Sequence, residues 1–208
     1  NRQEAAHAHS VSIDVSGKYA YVCDLGLDKI FKYEIDYDEN KLFLEENSII
    51  NVMPGSGPRH FTFHPNNKKV FVINELGGSV LSYDLGKDGS LNLIETVDTL
   101  PKNYNGDSWT ADIHTSIDGK YVYGSNRGHD SIAIFKFDES KNTLDSIGHH
   151  SSMGETPRNF ALSPDGKFLF VANQDTNNIA TLKINDDGSL SDTGHNLNIP
   201  SPVCIKFL

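Results

Sequence analysis

The residues whose types could do chemistry are Arg59, Glu75, Arg127 and His9, with Arg158 and His114 beside them. An arginine presents a planar, two-pronged donor pair that matches a carboxylate or a phosphate. A histidine or a glutamate can accept and return a proton. Brought to one place, three arginines, several histidines and one glutamate would suit an anionic small molecule. Scattered, they would be ordinary surface charges, so everything turns on the elements that position them.

Those elements repeat. ADIHTSIDGKYVYGSNRGHDSI from Ala111 reads as a hydrophobic strand, an Asp-Gly turn, a second strand and a charged loop into a third. HSVSIDVSGKYAYVCDLGLDKI from His9, HFTFHPNNKKVFVINELGGSV from His60 and NFALSPDGKFLFVANQDTNNI from Asn159 follow the same plan. Asp24, Asn74, Asn126 and Asn173 occupy one slot, which sets successive periods of 50, 52 and 47 residues. Four short strands repeating every ~40 to 50 residues, without helical periodicity, predict an all-β propeller of four-stranded antiparallel blades. The blades are expected over residues 8–55, 56–105, 108–155 and 156–200, with a closing strand over 202–208 that would open a fifth repeat. Such an orphan strand predicts the C-terminal part of a larger single propeller domain; a four-bladed ring and assembly from separate chains are the alternatives.

In an antiparallel blade the entry to strand one and the exit from strand two are neighbours. The entries hold His7 and His9, Arg59 and His60, Asp112 and His114, and Arg158 and Asn159. The exits hold Asp24, Asn74 and Glu75, Asn126 and Arg127, and Gln174. One rim around the axis therefore collects the ionisable groups. Features shared by every repeat belong to the scaffold: the Asp or Asn that ends strand two is expected to bond the local backbone. Glu75 and Arg127 stand where the sister repeats carry Leu25 and Gln174, so the scaffold does not demand them. His64 and Asp130 are expected to tie turns, His149, His150 and His195 to cap or face solvent, and Trp109 to pack.

Composition narrows the partners. A formal charge of −10 with scattered Lys and Arg argues against a nucleic-acid or anionic-membrane surface. Cys23 and Cys204 lie in apolar runs without metal-ligand spacing, so both are expected as core residues in a reducing, cytoplasmic setting. Asn1–Ser10 lacks the features of a signal peptide, although the chain opens without Met. Neither a metal nor another cofactor is expected.

HAHS at His7, GPRHFTFHP at Gly57, VINEL at Val72, ADIH at Ala111, SNRGHDSIAIF at Ser125, TPRNFALSPDGKFL at Thr156 and SPVCIKF at Ser201 resemble the seven-bladed propeller lactonases. That family includes bacterial propeller-type 6-phosphogluconolactonases and, more distantly, fungal carboxy-cis,cis-muconate cyclases. The resemblance implies seven blades and hydrolysis of 6-phosphogluconolactone in the pentose phosphate pathway. It also implies a catalytic set in which His9, Arg59, Glu75 and Arg127 match the family's histidine, arginine, glutamate and second arginine, with His114 and Arg158 as further substrate contacts. A lactonizing cycloisomerase would use the same groups. A non-catalytic propeller would instead expose an apolar patch on the rim, for which only Trp109 and Tyr104 offer anchors.

Overall fold

The computed structural model describes residues 2–207. Among them sixteen strands form four separate antiparallel sheets, each in sequential order. Blade 1 comprises β1 (Ala8–Ile13), β2 (Tyr19–Asp24), β3 (Lys29–Asp36) and β4 (Lys41–Asn51). Blade 2 comprises β5 (Pro58–Phe63), β6 (Lys69–Asn74), β7 (Ser79–Leu85) and β8 (Leu91–Asp98). Blade 3 comprises β9 (Trp109–Thr115), β10 (Tyr121–Arg127), β11 (Ser131–Asp138) and β12 (Thr143–Ser151). Blade 4 comprises β13 (Pro157–Leu162), β14 (Phe168–Asn173), β15 (Asn178–Ile184) and β16 (Leu190–Asn198). The first strands β1, β5, β9 and β13 pack successively against one another and so line the axis.

The core lies between sheets. Tyr19, Tyr21, Cys23 and Ile30 of blade 1 meet Phe61, Val70, Val72 and Tyr83 of blade 2. Phe71, Ile73 and Val80 meet Ile113, Val122, Phe135 and Phe137, and Tyr123, Ile132 and Ile134 meet Phe160, Leu169, Val171 and Leu182. The second strand of blade 2, β6, is buried on both faces because blades 1 and 3 lie against it, whereas β14 of blade 4, with a described neighbour on one side, alternates over its first residues. The turn histidine works across the same seam: the buried His64 ring bonds Gly119 O at 2.9 Å, and a Cβ on Gly119, whose φ is +74°, would collide with it.

The first strands begin ahead of their apolar alternation, because pairing is irregular at the start of each. Pairing jumps between Ala8 and Ser10, between Pro58 and His60, and between Pro157 and Asn159. The residues skipped are His9, Arg59 and Arg158. Blade 3 is irregular at the same level, between Thr110 and Ile113 opposite Asn126 and Gly124. A bulge breaks the strict alternation and re-aims a side chain; here it does so for three of the six candidate residues.

Just beyond the bulges, side chains join neighbouring blades. Ser10 donates to Arg59 O (2.7 Å), His60 Nδ1 meets Asp112 Oδ1 (2.6 Å), and Asn159 Nδ2 donates to Asp112 Oδ2 (2.5 Å). Asp112 is 3% exposed and accepts further bonds from the Ile113 and Phe160 amides and from His114. Removing this carboxylate strands five donors, so Asp112→Ala is expected to cost about 2–3 kcal/mol, read as a lower urea midpoint at unchanged slope.

The segment 202–207 pairs with none of the four sheets; the strands of the fifth repeat it is expected to open are not among the described residues, and residue 208 also lies outside them. Ile205 N donates to Asn159 Oδ1 at 2.6 Å and Phe207 packs on Phe170. Two expectations need correction. Cys204, on that segment, is exposed rather than core, whereas Cys23 is buried and its thiol is pushed up to about 12 by burial. Trp109 is 45% exposed at the start of β9 instead of packed.

Candidate active site

The bulges, the strand ends and one backbone seam build the site. Glu75 follows β6 directly; its amide donates to Gly57 O (2.7 Å) and its carbonyl accepts from Thr110 N (3.2 Å), which pins it between blades 2 and 3. The carboxylate is 1% exposed. Arg59 Nε donates to Glu75 Oε2 at 2.7 Å and Arg127 Nη2 lies 2.9 Å from the same oxygen. Arg2 pairs with Oε1. Arg127 is further held by Thr110 O at 3.0 Å and Trp109 O at 3.3 Å. Arg59 is 2% exposed, its Nη1 shared between Ala111 O and His60 Nε2, the latter at 3.0 Å.

His9 completes the group. Its ring centroid lies 5.1 Å from that of His60, and its Nδ1 is buried without a hydrogen-bond partner. Burial, then the charge of Arg59 and the neighbouring His60, pull its pKa down to about 3, so it is neutral at physiological pH. Burial alone would raise the Glu75 pKa, but Arg127, Arg59 and Arg2 outweigh it and hold the carboxyl below its ordinary value. Arg59 is drawn down to about 10 by burial and by Arg127, yet stays charged at neutral pH. The charge of Arg158, the half-buried residue at the fourth bulge, is felt at His9, Arg59 and Arg127. Three guanidinium groups thus hold one carboxylate, with the charge of Arg158 felt at two of them, a local positive excess on a chain of net charge −10.

Arg59, Glu75 and Arg127 therefore meet directly, and His9 and Arg158 lie within electrostatic reach of them. His114 stands apart from them. It bonds Asp112 Oδ2 at 3.1 Å and reaches Arg59 only through Asp112 and His60. Ser10, His60, Asp112, His114, Asn159 and Cys204 are among the residues that line a cavity of about 270 Å³ between the first strands. The sequence pattern understates Arg2, which sits in a polar lead without periodicity, and Asp112, whose signal was its place at a bulge otherwise occupied by arginine or histidine. The shared slot is scaffold, but only Asp24 bonds the local backbone as expected, accepting from Leu27 N as well as His7 N; Asn126 and Asn173 instead donate to Thr99 O and Ser152 O, just past the last strand of the preceding blade, and Asn74 to Ser79 Oγ. Asp130 ties its turn through Gly128 N and Thr156 N. Among the described residues there is no group of three or more His, Cys, Asp or Glu side chains that could hold a metal ion.

Fold and site together define a β-propeller with an arginine-rich axial centre. The chain belongs to the family described as lactonase, 7-bladed beta-propeller, whose model matches residues 1–207. It is 45% identical over 185 residues to a 6-phosphogluconolactonase of Formosa agariphila, covering 87% of this chain and 52% of that protein. It is 33% identical over 209 residues to the 6-phosphogluconolactonase of Bacillus subtilis, covering 100% and 59%. The solved periplasmic gluconolactonase of Pseudomonas aeruginosa superposes with a TM-score of 0.93 at 30% identity, covering 99% of this chain and 58% of that one. The chain thus spans between half and three fifths of the length of these relatives.

Proposed function

We propose that the protein carrying this chain hydrolyses a phosphorylated sugar lactone, 6-phosphogluconolactone, and that these four blades form part of a seven-bladed ring. The observation that carries this reading is the set of three arginines on Glu75, with the charge of Arg158 close to two of them, beside a neutral histidine with an unpartnered ring nitrogen. Arg127 and Arg158, both half-buried, are the members that receive the substrate's anionic group and carbonyl oxygen. Arg59 stands behind them as a fixed charge. As water attacks the lactone carbonyl, the oxyanion develops against guanidinium donors already in place, which costs little reorganisation. His9 takes the water proton; when the ring C–O bond breaks, the proton passes to the leaving ring oxygen. Glu75 is the poorer proton acceptor, because its oxygens already hold Arg2, Arg59 and Arg127. The site's positive excess also draws an anion to an otherwise acidic protein.

Stopped-flow hydrolysis of 6-phosphogluconolactone by the full-length protein, corrected for spontaneous opening, tests the assignment. Turnover well above background is expected; consumption of carboxymuconate instead would reassign the site to the cycloisomerase. We also place the protein in the cytoplasm, a reading supported by two unpaired cysteines. Cell fractionation decides this against the periplasmic location of the Pseudomonas relative.

The pH dependence follows with a definite sign. His9 must be neutral to accept a proton, and its pKa lies at about 3 rather than near the ordinary 6.5. Activity is lost only as pH falls through the lower value, so kcat/KM is expected to stay flat between about pH 5 and 8. A half-maximal point near that of free imidazole, about 6.5, would remove His9 from the proton-transfer role.

A further inference from the structure

We propose that Asp112 is a positioning residue for the arginine cluster and acts through one defined tautomer of His60; its catalytic consequence rests on the lactonase reading above. A guanidinium has donors and no acceptor. The 3.0 Å contact between Arg59 Nη1 and His60 Nε2 therefore requires a lone pair, not a proton, on Nε2. The ring proton then sits on Nδ1, from which it is donated to Asp112 Oδ1 at 2.6 Å. Which nitrogen of a histidine is protonated is set by the partner of the other.

Asp112 is well placed to impose that choice. Its Oδ1 accepts from His60 Nδ1 and the Ile113 amide; its Oδ2 accepts from His114, Asn159 Nδ2 and the Phe160 amide. Five donors and no other acceptor face it, so the group must be a carboxylate and cannot turn. It is fixed by blades 3 and 4, while His60 and Arg59 belong to blade 2. Charge and proton direction then run in one line: Asp112 accepts from His60, His60 accepts from Arg59, Arg59 grips Glu75, and Glu75 holds Arg127. The line joins the residues of the axial cavity to the guanidinium that meets substrate, and gives the buried Asp112 a role the hydrolytic steps do not use.

The test has two arms. In the first, a long-range 1H–15N spectrum of the full-length wild-type protein near neutral pH is expected to show His60 protonated on Nδ1 and bare on Nε2. A ring protonated on Nε2, or on both nitrogens, overturns the proposal whether or not the protein turns over lactone. In the second, His60→Gln keeps an amide oxygen near the place of Nε2, and His60→Phe does not. The glutamine variant is expected to retain kcat within about 3-fold, and the phenylalanine variant to lose about 10-fold or more with KM little changed, as misplacing a catalytic group does. Equal losses in the two variants, both folded, would mean that His60 only packs. An inactive wild type that still shows Nδ1–H would refute the lactonase reading and leave the positioning chain standing.

Discussion

Replacing Arg127 by alanine is expected to lower kcat/KM for 6-phosphogluconolactone by about 10²-fold or more, the scale set by removing one preorganised donor from an oxyanion site. Arg127 is the guanidinium with both a fixed position and access. Three acceptors hold it, Glu75 Oε2, Thr110 O and Trp109 O, yet its side chain remains 11% exposed, whereas that of Arg59 is 2% exposed. Lysine at 127 keeps the charge but loses the fork that bonds Glu75 and the two carbonyls together. Arg127→Lys should therefore fall short of the wild type as well, by about 10-fold, rather than restore it. Stopped-flow kinetics with background subtraction measure both variants. Unchanged turnover in a folded Arg127→Ala protein would remove the arginine from the reaction and return the cluster to a structural role.

Why much of this site can be read from the sequence, and part of it cannot, follows from how a propeller repeats. The slot shared by Asp24, Asn74, Asn126 and Asn173 repeats because every blade must close its second strand the same way, and that regularity locates all sixteen strands. Against it, Glu75 and Arg127 stand out as residues the scaffold does not need, and they do meet 2.9 Å apart. The bulges are less visible. A skipped residue interrupts the alternation that marks a strand, so Pro58-Arg59 and Pro157-Arg158 look like loop although they belong to β5 and β13. Arg2 and Asp112 needed the third dimension: one lies in a lead with no pattern, and the other gains its meaning from donors on two neighbouring blades. His114 shows the limit of position alone: its strand puts it at the axial cavity, where it bonds Asp112 instead of joining the arginines directly. Cys204 misled because an apolar run looks like core whether or not a neighbouring sheet is there to cover it.

Glu75→Ala is expected to produce the largest loss of stability of any single change at the site, about 3–5 kcal/mol, because it leaves buried charge unpaired. The carboxylate is 1% exposed and Arg59 2%. Neither can recover water when its partner goes. Arg127 and Arg158 would then repel Arg59 with nothing negative between them, and the backbone seam that places Glu75 does not supply a replacement acceptor. Glu75→Gln preserves shape and one acceptor oxygen but not the charge, and should lose most of the same energy. Adding Arg59→Met to Glu75→Ala removes the stranded cation and fills its space with an apolar chain, so the double variant is expected to be more stable than Glu75→Ala alone. Urea midpoints at constant slope provide the measurement. If Glu75→Ala stayed within about 1 kcal/mol of the parent, an ordinary surface-pair value, the cluster would have to be open to water, and the dry, preorganised site on which the hydrolytic mechanism depends would be lost with it.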